Sequence, residues 1–302
     1  MNLNQPFSKK FIERFEIVVL EYFYYNKYHK FHIVPSFLEF TSTISYLPIL
    51  SYTDIEYKDV QTLLKETKNF KYIVKVLNPN YKEFKQNDTV TMRLDISSHN
   101  FEYIMQNHIE SRCRTYIRKS YKENLTLKKG NDKKLIVDFY TLYSKSMHTL
   151  GSPAYAIEFF NDLAHVLKDD VDFFICYKDE KPIYTTCILY DDNIAWSGWV
   201  GRDNNYSSSK AGYYLFSEAI KVASIQKKKT IFDFGRSGYL SGTYTFKKKF
   251  GAIPIKIDLI TNMNKGKDIY SKYKFASMLW RYIPFKIANK LGNIIVRYLA
   301  EY

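Results

Sequence analysis

Residues 230–251, TIFDFGRSGYLSGTYTFKKKFG, constrain the fold more than any other part of the chain. Ile231, Phe232 and Phe234 around Asp233 read as a buried strand that breaks at Gly235. A polar turn from Arg236 to Gly242 follows, then a short aromatic and basic helix over 243–250 that Gly251 ends. An acid, a guanidinium, hydroxyls and a lysine are thereby gathered where a strand opens into a helix. Backbone N–H groups and charged side chains at such a rim of a sheet are where ligands bind.

The neighbouring segments read as an α/β protein. Residues 173–177, 183–190 and 194–201, separated by short polar turns, form a three-stranded meander. A serine-rich loop, 204–212, opens a helix over 213–224, and a last strand spans 255–260. Upstream, helices are expected over 11–28, 59–68, 101–124, 134–147 and 157–167. Strands are expected over 72–77 and 89–96, with extended pieces at 31–33 and near Pro48.

The helix over 101–124 carries Arg112, Arg114, Arg118, Lys119 and Lys122; residues 114 and 118 share a face. Such a cluster is either a solvated face or a site for phosphate or carboxylate, which guanidinium binds with two parallel hydrogen bonds. The tail, 266–302, is basic and amphipathic. Ile287, Leu291, Ile294, Ile295, Tyr298 and Leu299 form its apolar stripe. It suits either an anionic membrane surface or packing on the body of the protein.

Composition narrows the partners. With 302 residues and 46% hydrophobic content, the chain can bury a large core. Its formal net charge of +14 points to an anionic partner. Cys113, Cys176 and Cys187 have no ligand-like spacing, and the six histidines form no paired motif, so no metal is expected. Residues 1–10 do not read as a secretory leader, and the expected location is cytoplasmic, with the tail as a peripheral contact at the inner face of the membrane. No apolar run reaches the roughly 20 residues that span a bilayer.

Two constellations could carry chemistry. The loop with Ser208, Ser209, Lys210 and Gly212 lies at a helix N-terminus, where free N–H groups and the helix dipole favour a pyrophosphate. Asp233 and Lys247 supply an acid and a cation for attack of an amine on an activated ester. Asp233 could relay a proton or hold Arg236 by a salt bridge. No activated nucleophile is visible, so transfer is expected to be direct. The tripeptide Asp233-Phe234-Gly235 matches a kinase metal-binding motif, but no glycine-rich strand pair or HRD-type loop accompanies it.

The motifs Asp233-Phe234-Gly235-Arg236-Ser237, Gly242-Thr243-Tyr244, Phe246-Lys247 and Phe250-Gly251 resemble the FemAB-related branch of the GNAT acyltransferase superfamily. Arg112, Arg114 and Ile117-Arg118-Lys119, with Phe139-Tyr140 and Gly151-Ser152-Pro153, resemble the same branch. The likeness covers about 89–256. It implies two GNAT-like lobes in tandem, each a mixed, mostly antiparallel sheet flanked by helices. The boundaries would be 1–100 for a diverged lobe, 101–130 for a basic connecting helix, 131–265 for the second lobe and 266–302 for the tail.

The resemblance also implies transfer of an acyl or aminoacyl group to an amine of a cell-envelope precursor, nucleotide sugar or polysaccharide. Lys247 and Asp233 would be catalytic. Arg236, Ser237, Tyr244, Phe246, Arg112 and Arg118 would bind substrate. No cofactor would be held permanently; the donor would be acyl-coenzyme A, a carrier-bound acyl group or aminoacyl-tRNA, with tRNA then a partner. A coenzyme A-dependent small-molecule N-acetyltransferase and a non-catalytic membrane- or nucleic-acid-binding protein remain the alternatives.

Overall fold

The computed structural model describes residues 72–261 without a break, residues 277–296, and short pieces upstream (3–5, 7–8, 10–11, 14–15, 32–35, 40–44 and 50–51). The helix expected over 11–28 lies largely outside the described residues, and that over 59–68 lies wholly outside them.

One mixed, mostly antiparallel sheet runs through the molecule. Its strands are β1 (His32–Pro35), β2 (Phe40–Ile44), β3 (Leu50–Ser51), β4 (Tyr72–Asn78), β5 (Thr89–Asp95), β6 (Leu125–Gly130), β7 (Val171–Lys178), β8 (Lys181–Tyr190), β9 (Ile194–Arg202), β10 (Ile231–Gly238) and β11 (Ile253–Thr261). The order is β1-β2-β4-β11-β5-β10-β9-β8-β7-β6, with β3 beside β4. Strands expected in different lobes therefore meet in one sheet: β5 lies between β11 and β10, and β11 also pairs β4.

The helices are α1 (Phe101–Asn107), α2 (Ser111–Ser120), α3 (Lys133–Leu150), α4 (Ile157–Leu167), α5 (Ala211–Lys221), α6 (Gly242–Lys249) and α7 (Phe285–Ile295). They cover both faces of the sheet, because successive residues of a strand point to opposite sides. Phe173 and Ile175 of β7 join the α3 and α4 core with Phe139, Phe159 and Phe160. Phe174 and Cys176 join the opposite core, with Ile104, Ile117 and Phe216 from α1, α2 and α5. The three cysteines are free and buried, and burial pushes the Cys113 and Cys176 thiols up to about 12.

Several elements depart from the sequence reading. The single helix expected over 101–124 is two helices, broken at 108–110. Tertiary contacts break it: the Glu110 N–H donates to the Lys249 carbonyl, and Arg114 Nη1 donates to the carbonyls of Met105, Gln106 and Ile109. Arg114 therefore closes the end of α1. The edge strand β6 has no counterpart in the sequence reading, since its burial is only partial. Gly235 does not end its strand either, for β10 continues to Gly238 through a bulge.

Candidate functional site

The site begins where the sheet comes apart. β9 and β10 run parallel, yet they pair only from Ile194↔Ile231 to Trp196↔Asp233. Beyond that point β9 stays with β8 as far as Arg202, while β10 follows β5. The pairing of β10 with β5 shifts between Asp233 and Arg236, and Gly235 there has φ +73°. A bulge bends its strand, and a left-handed residue inside it strengthens the turn away from β9. A Cβ at Gly235 would also sit 2.7 Å from the Ser197 carbonyl oxygen. We expect Gly235→Ala to destabilise the fold by roughly 2 kcal/mol from strain and clash. It should also distort the opening, checked by thermal unfolding and by loss of ligand binding.

The parted strands leave a cleft of about 880 Å³. Its charged lining is lopsided: Lys75, Arg202, Lys210, Arg236 and Lys247 against the single acid Asp203. That acid is already engaged, with Lys181 at 3.3 Å. Such a field favours an anionic ligand.

One wall is the N-terminus of α5. Asp203 accepts from the Asn205 N–H, and Lys210 takes a left-handed conformation before the helix. No side chain caps α5, and Ser207, Lys210, Ala211 and Gly212 at its N-terminus line the cleft. Packing at Gly212 is close, since a Cβ would lie 3.0 Å from the Tyr184 ring. Of the four expected loop residues, Lys210 and Gly212 line the cleft. Ser208 is exposed away from the lining, and Ser209 is buried with its hydroxyl donating to the Tyr206 carbonyl at 2.6 Å.

The opposite wall carries Lys247. Helix α6 starts at the cap Ser241, whose hydroxyl accepts from the Tyr244 N–H. One turn later Lys247 Nζ donates to the carbonyls of Gly235 (3.0 Å), within the bulge, and Arg236 (2.8 Å), where pairing with β5 resumes. Its side chain is only partly exposed. Desolvation pulls its pKa down to about 7; Arg236 acts the same way and Asp233 opposes. Two of the three nitrogen positions serve carbonyls, leaving a third on a side chain that lines the cleft. That position is an N–H in the ammonium and a lone pair in the amine.

Asp233 does not line the cleft. It is 1% exposed, and Oδ2 accepts from Arg93 Nε at 2.7 Å, while Oδ1 accepts from Thr91 Oγ1 (2.5 Å) and the Gly235 N–H (2.8 Å). The partner expected for it, Arg236, instead lines the cleft with an exposed side chain. The reason is register: Asp233 sits opposite Arg93 on β5, which places both inside the sheet. Arg93 further donates to the carbonyls of Leu3 (2.9 Å) and Gln5 (2.5 Å).

The remaining expected residues divide. Phe246 lines the cleft, against Tyr213 and Phe250. Tyr244 is buried against Tyr239, and Ser237 is buried within the sheet. Arg112 lies outside the lining, with Nε on the Tyr116 hydroxyl at 3.0 Å; Lys210 Nζ lies over that same ring. Arg118 lies in a separate hollow with Tyr121 and Lys221. Sequence reasoning missed Arg93, Thr91, Arg202 and Trp196. Trp196 stacks edge-on against Trp199, and its indole Nε1 lies 3.4 Å from where a Gly235 Cβ would be. The aromatic side of the cleft is completed by Tyr143 and Tyr155.

The acetyltransferase (GNAT) domain family matches residues 111–248, which hold β9, the loop, α5, β10 and α6. The chain carries a GNAT acyltransferase domain. Its solved neighbours share the fold at low identity. FemX is 13% identical over 75% of this chain and 82% of that one, with a TM-score of 0.55. L-PGS from Bacillus licheniformis is 10% identical over 92% and 99%, with a TM-score of 0.53. The C-terminal domain of a putative lysylphosphatidylglycerol synthetase from Agrobacterium fabrum is 9% identical over 89% and 94%, at 0.54. Comparison with curated protein sequences gives no match. The family match is thus to the GNAT domain, and the FemX and L-PGS likenesses are ones of fold.

Proposed function

We propose that this GNAT acyltransferase moves an acyl or aminoacyl group directly to an amine of a cell-envelope precursor, nucleotide sugar or polysaccharide. The observation that carries the reading is the cleft through the parted β9 and β10, with a helix N-terminus on one wall and Lys247 on the other. An anionic donor lies with its phosphates against the α5 N–H groups, Lys210 and Arg202. Its reactive carbonyl then reaches the bulge at Gly235. Lys247, as the ammonium, stabilises the charge that develops on the carbonyl oxygen when the amine attacks. Asp233 acts through the bulge and through its field on Lys247 rather than by touching substrate. Arg236 binds an anionic part of donor or acceptor, and the Trp196, Tyr143 and Tyr155 side receives the acceptor. Arg112 extends the basic mouth beside Lys210.

The donor follows from a thermal-shift screen against coenzyme A, acetyl-coenzyme A, aminoacyl-tRNA and uncharged tRNA. A true donor at 100 times its Kd adds about 2.7 kcal/mol of stability. Preference for charged over uncharged tRNA supports aminoacyl transfer, the activity in keeping with the FemX-like fold. Stabilisation by acetyl-coenzyme A alone favours small-molecule N-acetylation. Lys210→Glu should weaken whichever donor binds at least tenfold, measured by calorimetry, because it reverses a charge at the phosphate wall. Unchanged affinity removes Lys210 and the α5 N-terminus from donor binding.

A further inference from the structure

The C-terminal segment packs on the body through small residues and turns apolar and basic side chains outward. Ala288, Gly292 and Val296, spaced by four, are buried; a Cβ at Gly292 would lie 3.3 Å from the Ala154 nitrogen. Asn289 and Asn293 accept from the Tyr140 hydroxyl of α3, at 3.1 and 3.3 Å. Small residues let the helix approach closely, so the larger side chains of the expected stripe are not needed inside. Ile287 and Leu291 accordingly face solvent, 53% and 41% exposed, so this part of the expected stripe does not pack on the body; Tyr298 and Leu299 lie outside the described residues.

This exposure is concentrated. Among the described residues twelve large apolar side chains are well exposed, and five of them fall within 277–296: Met278, Leu279, Tyr282, Ile287 and Leu291. Arg281, Lys286 and Lys290 are exposed beside them, and residues 277–296 contain no Asp or Glu. Lys286-Ile287 and Lys290-Leu291 repeat one turn apart on α7, so charge and apolar surface run side by side. Isolated apolar residues on a surface are ordinary, but five exposed within twenty residues, beside three exposed cations and no acid of the same segment, are not. It suits insertion among acyl chains with lysines at anionic headgroups. No described helix is long and apolar enough to cross a membrane, so the contact is with the surface.

The patch also has a fixed place relative to the cleft. The Ile283 carbonyl accepts from His148 Nε2 at 2.8 Å, and Arg281 Nη2 donates to the Leu150 carbonyl at 3.1 Å. Both anchors are at the C-terminal end of α3, where Leu150 is 60% exposed and Met147, one turn earlier, lines the cleft.

We propose that the outward face carrying Leu279, Tyr282, Lys286, Ile287, Lys290 and Leu291 docks on an anionic lipid bilayer and holds the Met147 end of the cleft at the membrane. The docking stands by itself. Its consequence, that the acceptor amine is borne by a lipid or a lipid-linked molecule, rests on the acyl-transfer reading.

Co-sedimentation of the full chain with vesicles of phosphatidylglycerol and phosphatidylcholine tests the docking. The protein should pellet at low salt and not with pure phosphatidylcholine. Lys286→Ala with Lys290→Ala should weaken partitioning about 30-fold, near a fivefold factor for each lysine. Ile287→Asp with Leu291→Asp should abolish it with unchanged thermal unfolding, and Lys247→Met should pellet as the parent does. Failure to pellet at low salt, or equal pelleting of all variants, overturns the proposal. So does light scattering that shows a dimer through this face without vesicle binding. Orientation is read separately from a fluorophore, because the native cysteines are buried. A label at Leu150→Cys should blue-shift on vesicles, while one at Tyr103→Cys, on α1 across the sheet, should not. The reverse pattern overturns the placement of the cleft.

Discussion

Asp233→Ala is expected to lower the thermal midpoint by roughly 10 °C. Arg93 is fully buried, and Asp233 is its carboxylate partner at 2.7 Å. Removing one member of a buried pair strands the other charge in a low dielectric, which is worth about 3–5 kcal/mol, and each kcal/mol moves the midpoint of a domain this size by about 2–4 °C. Two further donors, the Thr91 hydroxyl and the Gly235 N–H, lose their acceptor as well. The double variant Arg93→Met with Asp233→Ala should be less destabilised than the sum of the singles by at least about 1 kcal/mol, since no charge is left unpaired. Strict additivity in a denaturant cycle would show that the two side chains act independently.

Lys247→Met separates function from stability in the opposite direction. Turnover should be lost, whereas stability at neutral pH should rise by roughly 1–3 kcal/mol, because a desolvated lysine is replaced by an apolar chain. The sign follows from protonation. The folded pKa of about 7 lies below the ordinary lysine value of 10.5. Between those values the unfolded chain binds a proton that the folded chain does not. The contribution of Lys247 to stability therefore rises with pH through that window and is flat below 7. Denaturant midpoints of parent and variant across pH 7–9 should converge as pH rises. A gap that stays constant with pH would mean that Lys247 titrates normally. The ammonium role further predicts that the rate falls as pH passes 7, and that Lys247→Arg removes this inflection. An inflection that rises instead would make the neutral amine a proton acceptor.

Much of the fold was legible from the chain. The helix over 157–167 coincides with α4, and the three meander strands are β7, β8 and β9, each a residue or more longer at one end or both. Alternating apolar residues at β5 and the run around Asp233 also mark true strands. These signals are local, because a strand between two helical layers must be apolar on both faces. β6 and the break between α1 and α2 were not legible. The first is a sparsely buried edge, and the second is imposed by α6 through Glu110 and Lys249.

The site divides along the same line. Residues near one another in sequence, Gly235, Arg236 and Lys247, could be grouped from spacing alone, since a strand, a turn and a short helix must bring them together. Asp233 was singled out on the same grounds, but its partner was not, because Arg93 is 140 residues away and becomes its neighbour only through the β5–β10 register. Arg112 and Arg118 share a short helix with Arg114, yet the three part company: one caps α1, one meets Tyr116 and one lies in another hollow.

The sequence by itself determined the element types, the basic charge, and the strand–turn–helix that carries Lys247, for these depend on periodicity and chain proximity. Only the tertiary structure decided where β9 and β10 part, which carboxylate meets which guanidinium, and that α7 turns Ile287 and Leu291 outward. Those outcomes depend on long-range register and close packing, which no local pattern encodes.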